Sequence, residues 1–399
     1  MPDIQVYGAP WCPDCRRSKQ FLAEHRVAYK WVDVDQDQQG LRLIEKLQGG
    51  GRTIPTIVFG EGDYLLEPTD EDLARKLGLS LKADLNFYDL AIVGGGPAGL
   101  AAAIYAAREG MSAIVIDKSA LGGQSGVTER IDNYPGFPDG VGGAELAERF
   151  IAQARRYGME LLSAVSVAAV STQGEDLMVE LGTGQEVGAH AVILATGSSY
   201  RRLGVPGEAD LIGAGVHFCA TCDGPFYKGA DELLVIGGGN SALEEGLFLA
   251  QFAKRIRVLQ RGPELTASRL IQDKVLNDAQ FSIHTNTEVL ELQGVGRLEG
   301  VVARDVASGE EFHWNPAAVF VFIGLDPNTA FLGDSVVLDQ RGFIKADGMF
   351  QTSVPGVFAA GDVREGSTKQ LGSAVGDGIA ALLAVRRYLQ EHHHLAEKL

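Results

Sequence analysis

Cys219-Ala220-Thr221-Cys222-Asp223 sets two thiols two residues apart with an acid directly behind them. That spacing holds the sulfurs close enough to oxidise to an easily reduced disulfide. Asp223 is placed to hand a proton to a leaving thiolate or to take it back. A second pair, Cys12-Pro13-Asp14-Cys15, lies near the N-terminus. The rival readings are half of a zinc site or inert buried thiols. A zinc ribbon wants its pairs roughly 15–20 residues apart, and these are far more distant in sequence, so no metal is expected. The chain has four cysteines, all in the two pairs, which leaves none for structural bridges. Such usage fits a reducing cytoplasm.

Two glycine-rich loops are set to bring reducing equivalents to those sulfurs. Residues 88–93 read as a buried strand, Gly94-Gly95-Gly96-Pro97-Ala98-Gly99 as a turn, and residues 100–107 as a small-residue helix; the next strand ends in Asp117. The dinucleotide fingerprint is complete, with its acid at the ~20-residue offset that reaches a ribose. Gly94 permits the tight turn, Gly96 lets backbone approach a pyrophosphate, and Gly99 lets helix meet strand. The pattern repeats at Gly237-Gly238-Gly239-Asn240-Ser241-Ala242, between an apolar strand and a helix. Two fingerprints imply two dinucleotides, most simply a flavin and a nicotinamide.

Further flavin-type signals follow. Ala195-Thr196-Gly197 closes a buried strand, Gly361-Asp362 closes another, and Lys369-Gln370-Leu371 opens a helix running to residue 389. Asp362 can hydrogen-bond a ribityl hydroxyl, and the helix start can stabilise negative charge on a reduced ring. The first fingerprint and this last segment serve one cofactor. The expected layout is therefore a flavin domain at 88–200 and 326–399, with a nicotinamide domain inserted at 201–325 that carries the redox disulfide.

Residues 1–80 read β-α-β-α-β-β-α, the order of a small thioredoxin-like domain, and 81–87 as a linker tethering it to the rest. Cys12 falls at the N-terminus of the first helix, where backbone N–H groups favour a thiolate; it is expected to be the exposed, attacking sulfur and Cys15 the buried resolving one. Arg16 and Arg17 add positive charge nearby. Thr53-Ile54-Pro55 precedes the third strand, where this fold places a cis-proline opposite the cysteines. The fold class is α/β throughout.

Composition bounds the partners. A length of 399 residues suggests two or three domains of ~150 residues. A formal net charge of −17 disfavours nucleic acid and anionic membrane surfaces, which need Lys/Arg patches. No apolar run reaches the ~18 residues of a membrane span, and the N-terminus reads as a strand rather than a signal, so a cytoplasmic protein is expected.

With these residues in hand, residues 1–80 resemble a glutaredoxin, on Trp11-Cys12-Pro13-Asp14-Cys15 and Thr53-Ile54-Pro55. Glutaredoxins carry a Gly-Gly pair that helps hold glutathione; here the corresponding place reads Leu66-Glu67-Pro68-Thr69-Asp70. Residues 88–399 resemble the low-molecular-weight thioredoxin reductases. The matching pieces are Gly122-Gly123-Gln124, Asn133-Tyr134-Pro135-Gly136-Phe137, Ala195-Thr196-Gly197, Cys219 to Gly224, the second glycine loop and Gly361-Asp362. The resemblance implies FAD on the first fingerprint, with Gly123, Gln124 and Asn133 among its contacts, and NAD(P)H on the second. It implies Cys222 nearer the flavin, Cys219 as the outer attacking thiol and Asp223 as acid/base. It also implies a homodimer whose nicotinamide domain rotates to present nicotinamide and disulfide to the flavin in turn.

The coenzyme site departs from that family. Its NADPH users carry a His-Arg-Arg run that grips the 2′-phosphate, whereas this chain reads Gln260-Arg261-Gly262 with Glu264 beyond. Here it is more similar to the flavoprotein subunit of alkyl hydroperoxide reductase, which prefers NADH and has its own N-terminal disulfide domain. NADH is expected to serve at least comparably to NADPH. The function expected is an FAD-dependent NAD(P)H:disulfide oxidoreductase. It would pass electrons through Cys219/Cys222 to Cys12/Cys15 and on to a thioredoxin, a peroxiredoxin or a small-molecule disulfide. The alternatives are a reductase dedicated to one peroxiredoxin and a flavin-bound redox sensor.

Overall fold

The computed structural model describes residues 4–9, 11–25, 27–60, 62–127, 131 and 133–392, without the side chains of residues 16, 20, 23, 24, 127, 221 and 222. Contacts divide the chain into two compact units: 1–127 with 144–197 and 328–399, and 128–143 with 198–327.

The N-terminal part of the first unit alternates as its hydrophobic pattern dictates. Strand Ile4–Gly8 lies between the parallel strand Tyr29–Asp33 and the antiparallel strand Thr56–Gly60, which pairs in turn with Asp63–Leu66. Helices Pro13–Glu24, Gln38–Leu47 and Asp70–Lys76 complete the thioredoxin-like plan. Val6, Leu22, Ile57 and Leu73 form its core. Two of the helix starts carry their own punctuation. The Asp37 carboxylate accepts the Gln39 and Gly40 N–H groups, and Thr69 with Asp72 forms a capping box. Each such cap is worth about 1 kcal/mol.

The segment after this domain is not a loose tether along its whole length. Ala83 is buried; its N–H donates to Gln185 Oε1 at 2.9 Å and its carbonyl accepts from Gln185 Nε2 at 3.3 Å. The Asp84 N–H donates to Glu160 Oε1 at 2.7 Å, and the Tyr88 hydroxyl to Glu160 Oε2 at 2.5 Å. Before them, Leu79 and Leu81 pack against the N-terminal core, and Leu81 also packs against the core of the sheet that follows.

The rest of the first unit is a doubly wound sheet. Strand Phe87–Val93 pairs in parallel with Ala113–Ile116 on one side and Glu186–Leu194 on the other; Val357–Ala359 joins the far edge of Glu186–Leu194. All four are nearly continuous apolar runs, as buried parallel strands are. Helices Pro97–Arg108 and Leu371–Glu391 lie against each other over one face. Their approach depends on a glycine: a Cβ on Gly378 would sit 2.0 Å from the Ala98 carbonyl oxygen.

The second unit has its own parallel sheet, in the order Val216–His217, Ala318–Val321, Leu233–Ile236, Ile256–Leu259, Phe281–His284. An antiparallel meander, Thr287–Gln293, Gly300–Asp305 and Glu311–Trp314, accompanies it. The chain enters and leaves this unit through the paired strands Ser198–Tyr200 and Leu325–Pro327. No described helix is long and apolar enough to cross a membrane.

Candidate functional site

The two cysteine pairs sit in different local settings. Helix Pro13–Glu24 starts just after Cys12 and includes Cys15. Both are free thiols. Cys12 Sγ accepts the Cys15 N–H at 3.1 Å and lies 3.9 Å from the Ile54 carbonyl oxygen, next to the cis Ile54–Pro55 bond. Burial pushes the Cys15 thiol up to about 12, and the hydrogen bond with Cys12 adds to the rise. Gly8 is required beneath it, because a Cβ there would come 2.6 Å from Cys15 Sγ.

Two expectations for this pair are corrected. Cys12 is buried at 4 % exposure, while the neighbouring Trp11 is 67 % exposed. Arg17 does not offer a free charge. It pairs with Asp70 at 2.8 Å and Asp14 at 3.2 Å, and donates to the Pro68 carbonyl. The Arg16 side chain lies outside the described residues.

In the second unit Cys219 is disulfide-bonded; the Cys222 side chain is outside the described residues. Cys219 precedes the one-turn helix Ala220–Asp223, and the Asp223 N–H donates to the Cys219 carbonyl at 3.1 Å. A tight turn follows, Gly224–Tyr227, where a Cβ on Gly224 would meet Leu249 at 2.9 Å. Three groups that sequence reasoning missed surround this helix. His217 places Nδ1 3.5 Å from Asp223 Oδ2 and Nε2 2.7 Å from the Tyr227 hydroxyl. Glu245, on the helix Asn240–Leu249, accepts the Ala220 N–H at the head of the redox helix, while its Oε2 is buried without a partner. Burial, reinforced by the charge of Glu244, pushes the Glu245 carboxyl up. A histidine two residues before the first cysteine was a usable signal; Glu245 had none, since only packing brings it under Ala220.

The first glycine loop forms a cradle. Gly94 has φ +110°, and a Cβ there would lie 2.3 Å from the Ala195 carbonyl oxygen. A Cβ on Gly99 would lie 1.8 Å from the Gly94 carbonyl oxygen, and one on Gly123 3.0 Å from Gly96 Cα. The Gly122 N–H donates to the Gly95 carbonyl at 2.8 Å, so the 122–124 segment, with Gln124 in a short turn, closes one wall. Helix Pro97–Arg108 starts after Gly96 with Pro97 and Ala98 and has no side-chain cap. Backbone N–H groups at a helix start over glycines are the donor set a pyrophosphate takes, so these residues fit a dinucleotide. Asp117 accepts the Gly95 N–H at 2.6 Å and the Ser119 N–H at 2.8 Å, which ties the acid to the loop itself; its burial pushes the carboxyl up.

Around the same cradle, the Thr196 hydroxyl donates to the Asn328 carbonyl at 2.8 Å, and the Gly197 carbonyl accepts the Asn328 N–H at 3.0 Å. A Cβ on Gly361 would meet Ala98 at 2.9 Å. Asp362 is tied to Ser367 at 3.1 Å, and Lys369 Nζ donates to the Asp362 carbonyl. Burial pushes the Asp362 carboxyl up and the Lys369 ammonium down to about 8. Gln370 precedes Leu371 at the uncapped start of the last helix. Asn133 lies in the 128–143 segment, which goes with the second unit.

The second cradle is built alike around Gly237 (φ +132°), where a Cβ would lie 2.5 Å from the Phe322 carbonyl oxygen. Gly239 precedes the uncapped helix start at Asn240 and Ser241, and Ala242 is buried where the first loop has Gly99. Asn240 Oδ1 accepts the Ser268 N–H at 2.6 Å. The Gln260 side chain folds over Gly238 and donates to the Glu264 carbonyl at 3.2 Å; Arg261 and Glu264 are exposed.

Comparisons with known proteins agree with this construction. Residues 88–378 match the family described as pyridine nucleotide-disulphide oxidoreductase, and residues 4–63 match glutaredoxin. The thioredoxin reductase of Bacillus subtilis is 37% identical over 305 residues, 76% of this chain and 95% of that protein. The bifunctional thioredoxin reductase/thioredoxin of Mycobacterium leprae is 40% identical over 306 residues, 76% of this chain and 66% of that protein. Among solved structures, thioredoxin reductase from Streptococcus pyogenes aligns with a TM-score of 0.73 at 37% identity, covering 77% of this chain and 99% of that one. The enzyme from Giardia duodenalis aligns at 0.72 and 32% identity, covering 77% and 100%.

Proposed function

We propose, from the premise that the chain belongs to the pyridine nucleotide-disulphide oxidoreductases as a thioredoxin-reductase-type enzyme with a glutaredoxin domain, that its electrons reach Cys219 and Cys222 and leave through Cys12 and Cys15. The cofactors are those of the family, FAD and NAD(P)H. The first cradle, with Gly123, Gln124, Ala195 to Gly197, Gly361, Asp362 and Lys369 to Leu371, would hold FAD. The second, with Arg261, would hold the nicotinamide coenzyme. Bound there, the two cofactors would supply the two electrons that reduce the Cys219 disulfide.

The chain's own residues do the rest. Asp223 holds or releases the proton that a cysteine thiolate needs. In the exchange with the N-terminal pair, one S–S bond forms between Cys219 and Cys222 as another breaks between Cys12 and Cys15. Cys12 then attacks the acceptor and Cys15 resolves the mixed disulfide. The observation that carries this reading is the N-terminal geometry: Cys12 Sγ takes the Cys15 N–H at 3.1 Å, while Cys15 is held as a thiol by burial. The Mycobacterium leprae relative, named as a bifunctional reductase and thioredoxin, supports a carrier fused to its reductase.

The acceptor proposed is a thioredoxin, a peroxiredoxin or a small-molecule disulfide, and the working form a homodimer. The 260–264 segment favours NADH alongside NADPH. Gln260 occupies the space over Gly238, and an acid, Glu264, stands where a 2′-phosphate would want cations. The test is to oxidise the full chain, mix it anaerobically with NAD(P)H, quench with an alkylating agent and follow Cys12 and Cys15 by mass spectrometry. The pair should become reduced in the wild type and stay oxidised in Cys219→Ser. Equal reduction in both would sink the route.

A further inference from the structure

We propose that His217 and Tyr227 form a proton relay joining Asp223 to solvent in the groove beside Gly215, a reading that rests on Asp223 as the acid/base of the redox disulfide. His217 ends the strand Val216–His217 and is 7 % exposed. Burying an imidazole is costly unless its nitrogens are met, and here both are. Tyr227 lies 2.7 Å from Nε2 and Asp223 3.5 Å from Nδ1. The ring is clamped between Tyr227 and Phe320, with centroids 5.4 and 5.3 Å away. Asp223 from the redox helix and Tyr227 from the following turn are the titratable groups facing it among the described residues, and the neighbouring strand offers Phe320.

The tautomer follows from chemistry. A phenol is the natural donor to a neutral imidazole, so Tyr227 donates to Nε2 and Nδ1–H points at Asp223. The 3.5 Å gap closes with a small side-chain shift, as catalytic contacts do when the reaction partners arrive. At the other end, Tyr227 lines an open groove of about 660 Å³ together with Gly213, Gly215, Arg297 and Glu299. The three groups thus lie in series between the acid next to the Cys219 disulfide and the residues of that groove.

The reaction supplies a need for such a path. Converting one disulfide to two thiols takes two electrons and two protons. The hydride equivalent from NAD(P)H brings both electrons and one proton, and the second proton comes from solvent. In the relay, Asp223 gives its proton to a cysteine thiolate. Nδ1–H then passes to the Asp223 carboxylate, Nε2 takes the Tyr227 proton, and water in the groove restores the phenol. When the dithiol is reoxidised, Asp223 returns its proton to Nδ1, the Nε2 proton leaves through Tyr227 to water, and Asp223 takes up the proton released by the thiol, which restores the starting tautomer. His217 touches neither sulfur and acts as a positioning residue through Asp223.

The test uses the flavin-loaded full chain with single variants His217→Gln, Tyr227→Phe and Asp223→Asn, and the double variant His217→Gln/Asp223→Asn. Flavin reduction by NAD(P)H and disulfide turnover are followed separately from pH 6 to 9. His217→Gln should slow disulfide turnover about tenfold and Tyr227→Phe about threefold, fractions of a full acid/base contribution. Both should steepen the decline toward high pH and leave flavin reduction unchanged, and the double variant should be no slower than Asp223→Asn. Wild-type rates and pH profiles in both His217→Gln and Tyr227→Phe, or losses that multiply in the double variant, would overturn the relay. If Asp223→Asn is slow in those cases, only the relay falls; if Asp223→Asn turns over normally, the acid/base reading falls with it. Should His217→Gln fail to fold, Tyr227→Phe, which removes one oxygen, decides alone.

Discussion

The two cysteine pairs share a C-x-x-C spacing and differ in what stands behind them. The N-terminal pair opens a twelve-residue helix, and both sulfurs are buried. Cys12 Sγ meets backbone groups, the Cys15 N–H and the Ile54 carbonyl. The central pair borders a helix of four residues with Asp223 at its end, His217 and Tyr227 behind that acid, and Glu245 under its first N–H. A carrier needs one sulfur to attack and one to stay protonated, which burial alone can arrange. A pair refilled from a cofactor must also manage protons, which takes side chains from several elements. The two glycine cradles show a parallel contrast: one brings helix to strand over Gly99, the other over Ala242.

The largest effect expected is at the central pair. Cys219→Ser and Cys222→Ser should each lower disulfide turnover about a thousandfold or more, while the flavin is still bleached by NAD(P)H in stopped flow. Residual turnover near wild type in both would erase the difference between the pairs.

The N-terminal pair should show a smaller loss. Cys12→Ser should slow delivery to a protein disulfide about a hundredfold, the advantage of a tethered over a free carrier, and Cys15→Ser should accumulate a mixed disulfide at Cys12, visible by non-reducing mass spectrometry. The pH dependence sharpens the contrast. A thiolate is the alkylated form. With Cys15 pushed up to about 12, its labelling in the reduced chain should stay slow at neutral pH and climb only as pH approaches that value. Rapid labelling of Cys15 at pH 7 would contradict the burial argument.

For the cradles, Gly99→Ala drives a Cβ to 1.8 Å from the Gly94 carbonyl oxygen. Overpacking against backbone should cost about 3 kcal/mol and release flavin, read by absorbance after desalting and by thermal unfolding. Ala242→Gly should keep coenzyme use and lose at most about 1 kcal/mol, the helix-propensity cost. Equal effects would mean that the two loops are packed alike. The smallest effect concerns the coenzyme: kcat/KM for NADH and NADPH should lie within about tenfold of each other, and Glu264→Arg should move the ratio toward NADPH by less than about tenfold. A hundredfold native preference for NADPH would show that Arg261 and its neighbours grip the phosphate after all.

Much of this was legible because the chemistry is written in short contiguous runs. The two C-x-x-C pairs, the two strand-turn-helix loops, the cis-proline after Ile54 and the last helix after Gln370 all came from residues close in sequence, where backbone geometry and side-chain type leave few alternatives. Burial and charge pairing were not legible. Cys12 reads as exposed from its place at a helix start, yet the fold covers it; Arg17 reads as a free cation, yet Asp70, in a different helix, takes its charge. The linker reads as free, yet Gln185 and Glu160 hold Ala83 and Asp84.

What sequence alone determined, then, is which groups this protein has for redox chemistry and on which loops they sit, since spacing along the chain sets local geometry. What only the tertiary structure decided is which distant groups meet them. Glu245 reaches Ala220, Gly378 lets one helix lie on Ala98, and Tyr227 turns back to His217. These meetings are set by how whole elements pack, where a shift of one helical turn would place other side chains at the same points, and no local pattern records that choice.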